Sequence, residues 1–230
     1  MNRYKQIPQF AMSLGVGVSA VFAAWTAKWL KQFSLPDWFV LLTILLTTGF
    51  GGWFITTAFR YLFESSKWVR RRLLGRQFVE GTWFIEIRLN NELTGFAVSR
   101  IEADGTSLRW SGEHYDLEGQ ILGSVKGKVI EIDWPKIRYS YESDRDDPNN
   151  LHREGYGERT FMEQDGPPVG FNGQFIDHLS GEKKRTRAWK VKNKEESAEL
   201  RNPQKCEAFI ERYKVQLLQK LRNSSDKLLE

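Results

Sequence analysis

Two long apolar stretches near the start of the chain dominate its hydrophobic pattern. Gln6 to Ala27 and Trp38 to Phe59 contain no charged residue. Because a helix rises about 1.5 Å per residue, about 20 apolar residues are enough to cross the hydrocarbon core of a bilayer. The pattern therefore predicts an N-terminal segment, residues 1–63, with two transmembrane helices at about 8–30 and 38–63.

Basic residues flank these stretches unevenly. Six Lys or Arg lie between Arg60 and Arg76, whereas the loop between the stretches has only Lys28 and Lys31. Cytoplasmic flanks of membrane helices carry an excess of Lys and Arg, so both termini are expected on the cytoplasmic side of a multi-pass protein. Residues 64–77 are predicted to form a basic juxtamembrane helix or linker. A cleavable signal peptide is the alternative for the first stretch, but a second stretch follows it at once.

Small residues are frequent in both stretches and include Gly15, Gly51 and Gly52. In lipid, helices associate where small residues allow their backbones to approach each other closely. The sequence leaves open whether the two helices pack on each other within one chain or between chains. Neither stretch contains a charged residue, which argues against an ion pathway or a transporter site.

After the basic segment the hydrophobic period changes to two, which is typical of strands. Trp83, Ile85 and Ile87 share one face of the first strand, and Asn90-Asn91 then supplies a turn. The predicted strand segments are Gly81–Leu89, Phe96–Glu102, Leu108–Tyr115, Ile121–Val125, Val129–Trp134, Ile137–Glu142, Tyr156–Met162, Phe171–Asp177 and Thr186–Val191. Because strand starts recur at spacings of roughly ten residues, residues 78–192 are predicted to form an eight-stranded antiparallel β-barrel that binds a ligand.

The chain is predicted to end in an amphipathic helix within residues 193–230. Asn202 suits the N-cap of this helix and Pro203 its first helical position. One apolar stripe follows at helical spacing: Cys206, Phe209, Ile210, Tyr213, Leu217 and Leu221. The stripe is expected to pack against the barrel, and contact between copies of the chain is the alternative.

Charge is divided unequally along the chain. Residues 1–77 carry a net charge of +8 within a total of +5, so residues 78–230 carry −3. The basic character therefore belongs to the part next to the membrane, where it favours anionic lipid headgroups. A net-negative barrel argues against DNA or RNA as a partner.

Motifs of catalysis and metal binding are missing from the sequence. Cys206 is the only cysteine, and His114, His152 and His178 have no metal-ligand spacing. The sequence has no nucleophile elbow, Walker loop or dinucleotide fingerprint. The Asp-rich run 143–150 does not reproduce the ligand ladder of an EF-hand. We therefore expect no enzyme activity, no metal site and no cofactor.

A barrel of about eight strands encloses side chains or one small ligand. Aromatic residues interleaved with arginines and hydroxyls suit a nucleotide, because bases stack on rings and guanidinium groups bind phosphate. Strand parity selects the candidate ligand-binding residues Arg109, Trp110, Tyr115, Tyr139, Tyr141, Tyr156, Arg159 and Thr160. The alternative is that the aromatic residues are ordinary barrel core and that Arg109 or Arg159 points outward into solvent.

Four short motifs carry a family resemblance: Gly81-Thr82-Trp83, Trp110-Ser111-Gly112-Glu113-His114-Tyr115, Gly155-Tyr156-Gly157 and Gly170-Phe171-Asn172-Gly173-Gln174-Phe175-Ile176-Asp177. With the two apolar stretches and the basic segment, their order resembles the two-transmembrane, β-strand-rich effectors of bacterial CBASS anti-phage defence, the CD-NTase-associated protein fifteen family. The resemblance covers nearly the whole chain and rests on architecture and motif order. It implies a membrane-anchored all-β fold.

The resemblance also implies a function. The barrel would bind a cyclic dinucleotide that a partner CD-NTase makes after infection, without any cofactor. Ligand binding would drive homo-oligomerisation of the transmembrane segments. The assembled segments would disrupt the bacterial cell inner membrane and cause abortive death of the infected cell. The implied partners are thus a cyclic dinucleotide, inner-membrane lipids and further copies of the chain.

Two other functions compete with this one. Gly81-Thr82-Trp83 on the first strand and Arg187 on the last also resemble the lipocalins, in which a Trp and an Arg close one end of the barrel. The protein would then be a membrane-anchored binder of an apolar small ligand. Lipocalins are usually exported, however, whereas the basic flanks here favour a cytoplasmic barrel. A structural membrane scaffold whose barrel binds protein is the third alternative.

Overall fold

The structure is a computed structural model of the chain. It describes residues 3–33, 36–104, 107–145, 153–178, 180–200, 202 and 205–215. The chain divides into two compact units. Of the described residues, those up to Phe78 belong to the helical unit, and those of Val79–Ala103 and from Leu108 onward belong to the barrel unit.

Three helices form the helical unit. α1 spans Arg3–Leu30 and continues into a 3-10 turn, Lys31–Phe33. α2 spans Asp37–Ser65. α3 spans Lys67–Leu74 and is followed by a second 3-10 turn, Gly75–Gln77.

Side chains at the junction between α2 and α3 satisfy backbone groups of both helices. Ser66 has an extended backbone, and its hydroxyl accepts the N–H of Val69 at 3.4 Å, which caps α3. The buried Arg70 side chain donates from Nη1 to the carbonyl oxygens of Phe63, at 2.9 Å, and Glu64, at 2.5 Å. These carbonyls lie in the last turn of α2, where carbonyl oxygens have no N–H group of the same helix to accept from. The break between the two helices is therefore a hydrogen-bonded corner.

In the described residues, α2 is the helix that is long and apolar enough to cross a membrane. Its large side chains are mostly exposed, for example Leu45 at 71% and Trp53 at 65%. α1 forms a helix of 28 residues over the first predicted span, and its Phe10 and Val21 side chains are likewise exposed.

α1 and α2 pack on each other through small residues. Ser19 and Ala23 of α1 are buried, and Gly15 lies one turn before Ser19. A Cβ at Gly15 would lie 3.3 Å from the carbonyl oxygen of Gly52, and a Cβ at Gly51 would lie 3.1 Å from Ser19 Oγ. Small residues allow two helices to approach each other this closely. The small residues of the two apolar stretches thus meet within one chain.

Eight strands form the barrel unit: β1 Gly81–Leu89, β2 Glu92–Asp104, β3 Ser107–Tyr115, β4 Ile121–Asp133, β5 Lys136–Arg145, β6 Arg153–Phe161, β7 Gly170–Asp177 and β8 Lys183–Lys190. Each strand pairs with the next one along the chain, and β8 pairs with β1. The sheet therefore closes, which removes free edges. The predicted eight-stranded antiparallel β-barrel is confirmed.

Two predicted segments, Ile121–Val125 and Val129–Trp134, belong to one continuous strand, β4. The residues between them, 126–128, keep their backbone pairing with β5. Gly127 and the lysines beside it interrupt the apolar pattern in the sequence but leave the hydrogen-bonded ladder intact. The position of the first hairpin was predicted correctly, since Asn90 and Asn91 take positive φ angles of 52° and 72° in the β1–β2 turn.

In the described residues, two helices follow the barrel. α4 spans Lys194–Glu199, and the Asn193 side chain caps it by accepting the N–H of Glu195 at 2.9 Å. α5 covers residues 205–215. The carbonyl oxygen of Asn202 accepts the N–H of Cys206 at 2.9 Å, so α5 begins close to the predicted position.

α5 packs against the outer face of the barrel. Cys206 and Ile210 are fully buried in a cluster with Phe84 of β1, Phe96 of β2 and Tyr115 of β3. The apolar stripe predicted for this helix is confirmed for its described part, whereas Pro203, Leu217 and Leu221 lie outside the described residues.

A polar contact also ties α5 to the barrel. Glu86 is 1% exposed, and its carboxylate accepts hydrogen bonds from Arg88 Nη2 at 3.0 Å and from the Tyr213 hydroxyl at 3.2 Å. Burial raises the pKa of Tyr213, and the nearby Glu86 carboxylate raises it further. The phenol therefore remains a hydrogen-bond donor at neutral pH.

The single cysteine reports on docking of α5. Burial raises the pKa of the Cys206 thiol to about 11, and the thiolate is the reactive form. We expect iodoacetamide at pH 8 to modify native protein far more slowly than protein unfolded in urea. Ile210→Ala should speed the native reaction because it loosens α5. Equal rates in native and unfolded protein would contradict the packing described here.

The same thiol gives stability a pH dependence. The folded pKa of Cys206 is raised from 9.0 to about 11, so folded and unfolded chains both hold the proton below pH 9. Between pH 9 and 11 only the unfolded chain loses it, and the free energy of unfolding falls with rising pH. Cys206→Ser should reduce this alkaline loss, as measured by urea unfolding of both proteins across that range.

Candidate ligand-binding site

Aromatic side chains fill the interior of the barrel because glycines lie opposite them. Three rings each lie over a glycine on a neighbouring strand: Trp110 over Gly127, Tyr139 over Gly157 and Tyr141 over Gly155. A Cβ at any of these glycines would overlap the ring that lies over it. The rings can therefore lie flat across the strands only where the opposite residue has no side chain.

The interior is closed at one end by a second aromatic group. The Trp83 ring lies 5.5 Å from that of Phe161 and 5.2 Å from that of Phe171, and Trp134 stacks on Phe161 at 5.6 Å. The Trp83 indole N–H donates to the carbonyl oxygen of Val79 at 2.9 Å, which satisfies the buried donor. This end of the barrel is a packed core.

Arg159 lies in the middle of the interior and is only 4% exposed. Its guanidinium carbon is 4.4 Å from the ring centre of Trp110, 4.6 Å from that of Tyr139 and 4.8 Å from that of Phe171. Burial lowers the pKa of Arg159, and a hydrogen bond to the Tyr139 hydroxyl opposes this shift. The ring faces stabilise the cation through their quadrupoles.

The interior also contains a small cavity of about 20 Å³, bordered by several of these side chains. Its walls include Arg159, Trp110 and His114, together with Ser99 and Thr186. Ser99 Oγ, Trp110 Nε1 and Thr186 Oγ1 are buried without a hydrogen-bond partner in the described part of the protein. The cavity is thus lined by polar groups, but it is far smaller than a typical small-molecule site, which measures roughly 300–1,000 Å³.

A larger groove of about 550 Å³ lies on the outer face of β3 to β6. Arg109 of β3 and Lys126 and Lys128 of β4 line it, and the exposed Tyr156 ring of β6 lies 4.9 Å from the ring of His178. Cations and ring faces therefore share one outer surface of the barrel.

Sheet register arranges the groove in two rows. One row crosses the four strands as Arg109, Lys128, Ser140 and Tyr156, and it contains no acid. The next row crosses them as Ser111, Lys126, Glu142 and Glu154, of which the last three line the groove. The groove is therefore basic and aromatic along one side and acidic at the far end of the other.

The structure divides the eight candidate residues among different places. Trp110, Tyr139, Tyr141 and Arg159 meet inside the barrel, with Tyr141 also bordering the outer groove. Arg109 and Tyr156 line the groove. Their roles in ligand binding stay predictions.

The remaining two candidates belong to neither place. Tyr115 is 1% exposed beneath α5, where its hydroxyl donates to the Glu113 carboxylate. Thr160 is half-buried, is opposite Lys136 in the ladder and borders neither the cavity nor the groove. Alternation along a strand shows correctly which residues share a face, but it does not show which face points into the barrel.

Sequence reasoning missed Ser99, Thr186, Lys126 and Lys128 as candidates. Alternation within β2 and β8 would have placed Ser99 and Thr186 on the inward faces with Ala97 and Ala188. The lysines of β4 carried no such signal, since they lie in the stretch that was not predicted as strand. No group of three or more His, Cys, Asp or Glu in the described residues is arranged to hold a metal ion.

Comparisons with known proteins give only distant structural similarity. No known protein family matches the chain, and no curated protein matches it either. A redesigned β-barrel matches with a TM-score of 0.41 and 16% identity, over 50% of this chain and 92% of that one. Another redesigned β-barrel, bound to DFHBI, matches with a TM-score of 0.40 and 14% identity, over 50% of this chain and 97% of that one. A de novo designed fluorescence-activating β-barrel matches with a TM-score of 0.38 and 12% identity, over 50% of this chain and 96% of that one.

The requirement for glycine opposite each ring can be tested at Gly127. A Cβ there would overlap the Trp110 indole and lie 2.8 Å from the Ser140 carbonyl oxygen. Gly127→Ala should lower the free energy of unfolding by about 1–3 kcal/mol, because overpacking displaces the ring. Urea unfolding followed by tryptophan fluorescence measures the change.

Two further variants serve as controls for this substitution. Lys128→Ala, one residue along on the outer face, should change stability by less than about 0.5 kcal/mol. In a Trp110→Leu background the cost of Gly127→Ala should shrink, since the ring is gone. Equal costs in both backgrounds would show that the ring does not depend on the glycine.

Proposed function

We propose that the protein is a membrane-anchored receptor whose barrel binds a cyclic dinucleotide in the outer groove. The observation that carries this proposal is the acid-free row of Arg109, Lys128, Ser140 and Tyr156 along a groove of about 550 Å³. A cyclic dinucleotide offers two phosphodiester anions and two bases. Guanidinium and ammonium groups bind the phosphodiester anions, and exposed rings stack on the bases.

The size of the two cavities favours the groove over the interior. The interior cavity holds about 20 Å³, whereas the groove lies within the usual range for small-molecule sites. The same comparison counts against the lipocalin-like alternative, because an apolar ligand would need interior space that the aromatic side chains and Arg159 occupy. The groove therefore supports a polar, anionic ligand better than an apolar one.

The helical unit supplies the proposed effector. We infer that α1 and α2 are both transmembrane helices, because exposed Phe, Leu, Val and Trp side chains on both helices are stable in lipid. The basic residues of α3 and its flanks favour an inner membrane with both termini and the barrel on the cytoplasmic side. Ligand-driven homo-oligomerisation would gather these helices, disrupt the membrane and end in abortive death of the infected cell.

This proposal makes the protein an effector of CBASS antiviral defence that is functionally linked to a CD-NTase. It requires the ligand to favour the assembled state, since a ligand shifts an equilibrium only by its differential affinity. To change the ratio of assembled to unassembled protein from about 1:99 to 99:1, the ligand must bind the assembled state more tightly by about 5.5 kcal/mol. Confinement of barrels to one membrane plane raises their effective concentration and so lowers the free-energy cost of assembly.

Ligand binding is tested by calorimetry of full-length protein in lipid nanodiscs against a panel of cyclic dinucleotides. We expect at least one member of the panel to bind with micromolar or tighter affinity. Arg109→Gln and Tyr156→Leu should each weaken binding by about tenfold or more, because each removes a charged or stacking contact. Thr160→Ala, on the same strand as Tyr156 but away from the groove, is the matched control and should bind like the wild type.

Two results would count against this site. A panel that gives neither heat nor a thermal shift with wild-type protein would refute nucleotide binding altogether. Equal weakening by Thr160→Ala and Tyr156→Leu would show that the groove is not where the ligand lies.

Membrane disruption is tested with full-length protein in dye-loaded liposomes of anionic lipid. The nucleotide that binds in calorimetry should release the dye from vesicles containing wild-type protein. Vesicles without nucleotide, and vesicles containing the Arg109→Gln, Tyr156→Leu double variant with nucleotide, should stay sealed. Wild-type vesicles that remain sealed with bound nucleotide would rule out this effector mechanism while leaving the receptor function standing.

A further inference from the structure

The barrel interior holds a cation without a carboxylate partner in the described residues. The Arg159 guanidinium lies against three rings, and the Tyr139 side chain is the polar neighbour with which it interacts. A charge that is removed from water is normally compensated by an opposite charge or by several hydrogen bonds. Ring faces compensate only part of this loss. The interior therefore has a positive charge that suits a negative partner.

Three more groups bordering the same cavity are suited to an anion. Ser99 Oγ, Trp110 Nε1 and Thr186 Oγ1 are buried and lack hydrogen-bond partners among the described residues. Two hydroxyls and an indole N–H can all donate a hydrogen bond, as can the guanidinium. With the Arg159 cation, the cavity brings together four donor groups.

A glycine leaves space beside two of these groups. Gly173 of β7 is directly opposite Arg159 on β6 and directly opposite Thr186 on β8. A Cβ at Gly173 would lie 2.7 Å from Thr186 Oγ1 and 3.4 Å from Arg159 Cγ. The space that a side chain would fill is thus bordered by both the hydroxyl and the arginine.

The volume of the cavity limits the guest. It measures about 20 Å³, and one water-sized guest needs roughly 10–15 Å³ on the same measure. A nucleotide, a lipid or a sugar is far too large. A monatomic anion fits, and Ile85, Val125 and Phe175 form an apolar part of the lining.

We propose that the barrel interior binds one small monovalent anion, chloride being the representative, between Arg159, Trp110, Ser99 and Thr186. The anion neutralises the guanidinium and accepts hydrogen bonds from the three groups that lack partners. Water in the same place would use the hydrogen bonds but would leave the charge uncompensated. This site is separate from the outer groove, so it stands whether or not the groove binds a nucleotide.

The test uses full-length protein in detergent, prepared without halide, with thermal unfolding followed by tryptophan fluorescence. Sodium chloride replaces sodium gluconate at constant ionic strength, because gluconate is too large for the cavity. A ligand that binds only the folded state raises Tm as its concentration passes Kd. We expect chloride to raise Tm by several degrees and the rise to saturate. An unchanged Tm, or a rise that does not saturate, would overturn the proposal.

Thr186→Val is the most informative variant, because valine has the shape of threonine without the hydroxyl. In gluconate it should be at least as stable as the wild type, since it removes a buried polar atom that has no partner. In chloride its half-saturating concentration should be about tenfold higher, because one hydrogen bond to the anion is lost. An unchanged half-saturating concentration would overturn the proposed site.

Two arginine variants separate the interior from the surface. Arg159→Met should abolish the saturable response, whereas Arg109→Met, which removes a cation from the outer face, should retain it in full. If Arg159→Met does not fold, Ser99→Ala takes its place and should raise the half-saturating chloride concentration. A response that follows Arg109 and not the interior residues would refute the interior site.

Discussion

The width of an eight-stranded barrel is the constraint on which the other features depend. Such a barrel has room for side chains and for little else, and this one places large rings inside. The rings fit because Gly127, Gly155 and Gly157 lie directly opposite them. Once the rings lie flat across these strands, the remaining cavity is about 20 Å³. The interior cavity is therefore far too small to enclose a ligand of nucleotide size.

The same constraint gives two arginines opposite environments. Arg159 points inward, where the ring faces of Trp110, Tyr139 and Phe171 take the place of water around its guanidinium. Arg109 points outward, is exposed and lines the groove, where a ligand can reach it. An exposed arginine can exchange water for phosphate at small cost, whereas a buried one changes partner only with a guest that fits its cavity. The two residues therefore suit ligands of different size.

The sequence was enough to predict the barrel and the packing of its last helix, because both depend on local periodicity. The stripe of Cys206 and Ile210 has the spacing of a helix, and Asn90-Asn91 is a strong turn signal. The candidate site could not be predicted in the same way. Alternation shows that Arg109 and Tyr115 share a face, but α5 buries one and leaves the other exposed. The groove itself depends on the pairing of four strands, so its residues become neighbours only when the sheet forms.

The proposed location of the ligand on the outer face also bears on how a signal would pass between copies of the protein. A ligand enclosed in a barrel interior contacts only the chain that holds it. In the open groove, by contrast, a bound dinucleotide would leave one face exposed beside Tyr156 and Lys128. In the proposed function, that face would add bases and phosphates to the surface, where a second copy held in the same membrane plane would contact them. Assembly would then depend on the ligand directly, because part of the interface would be the ligand itself.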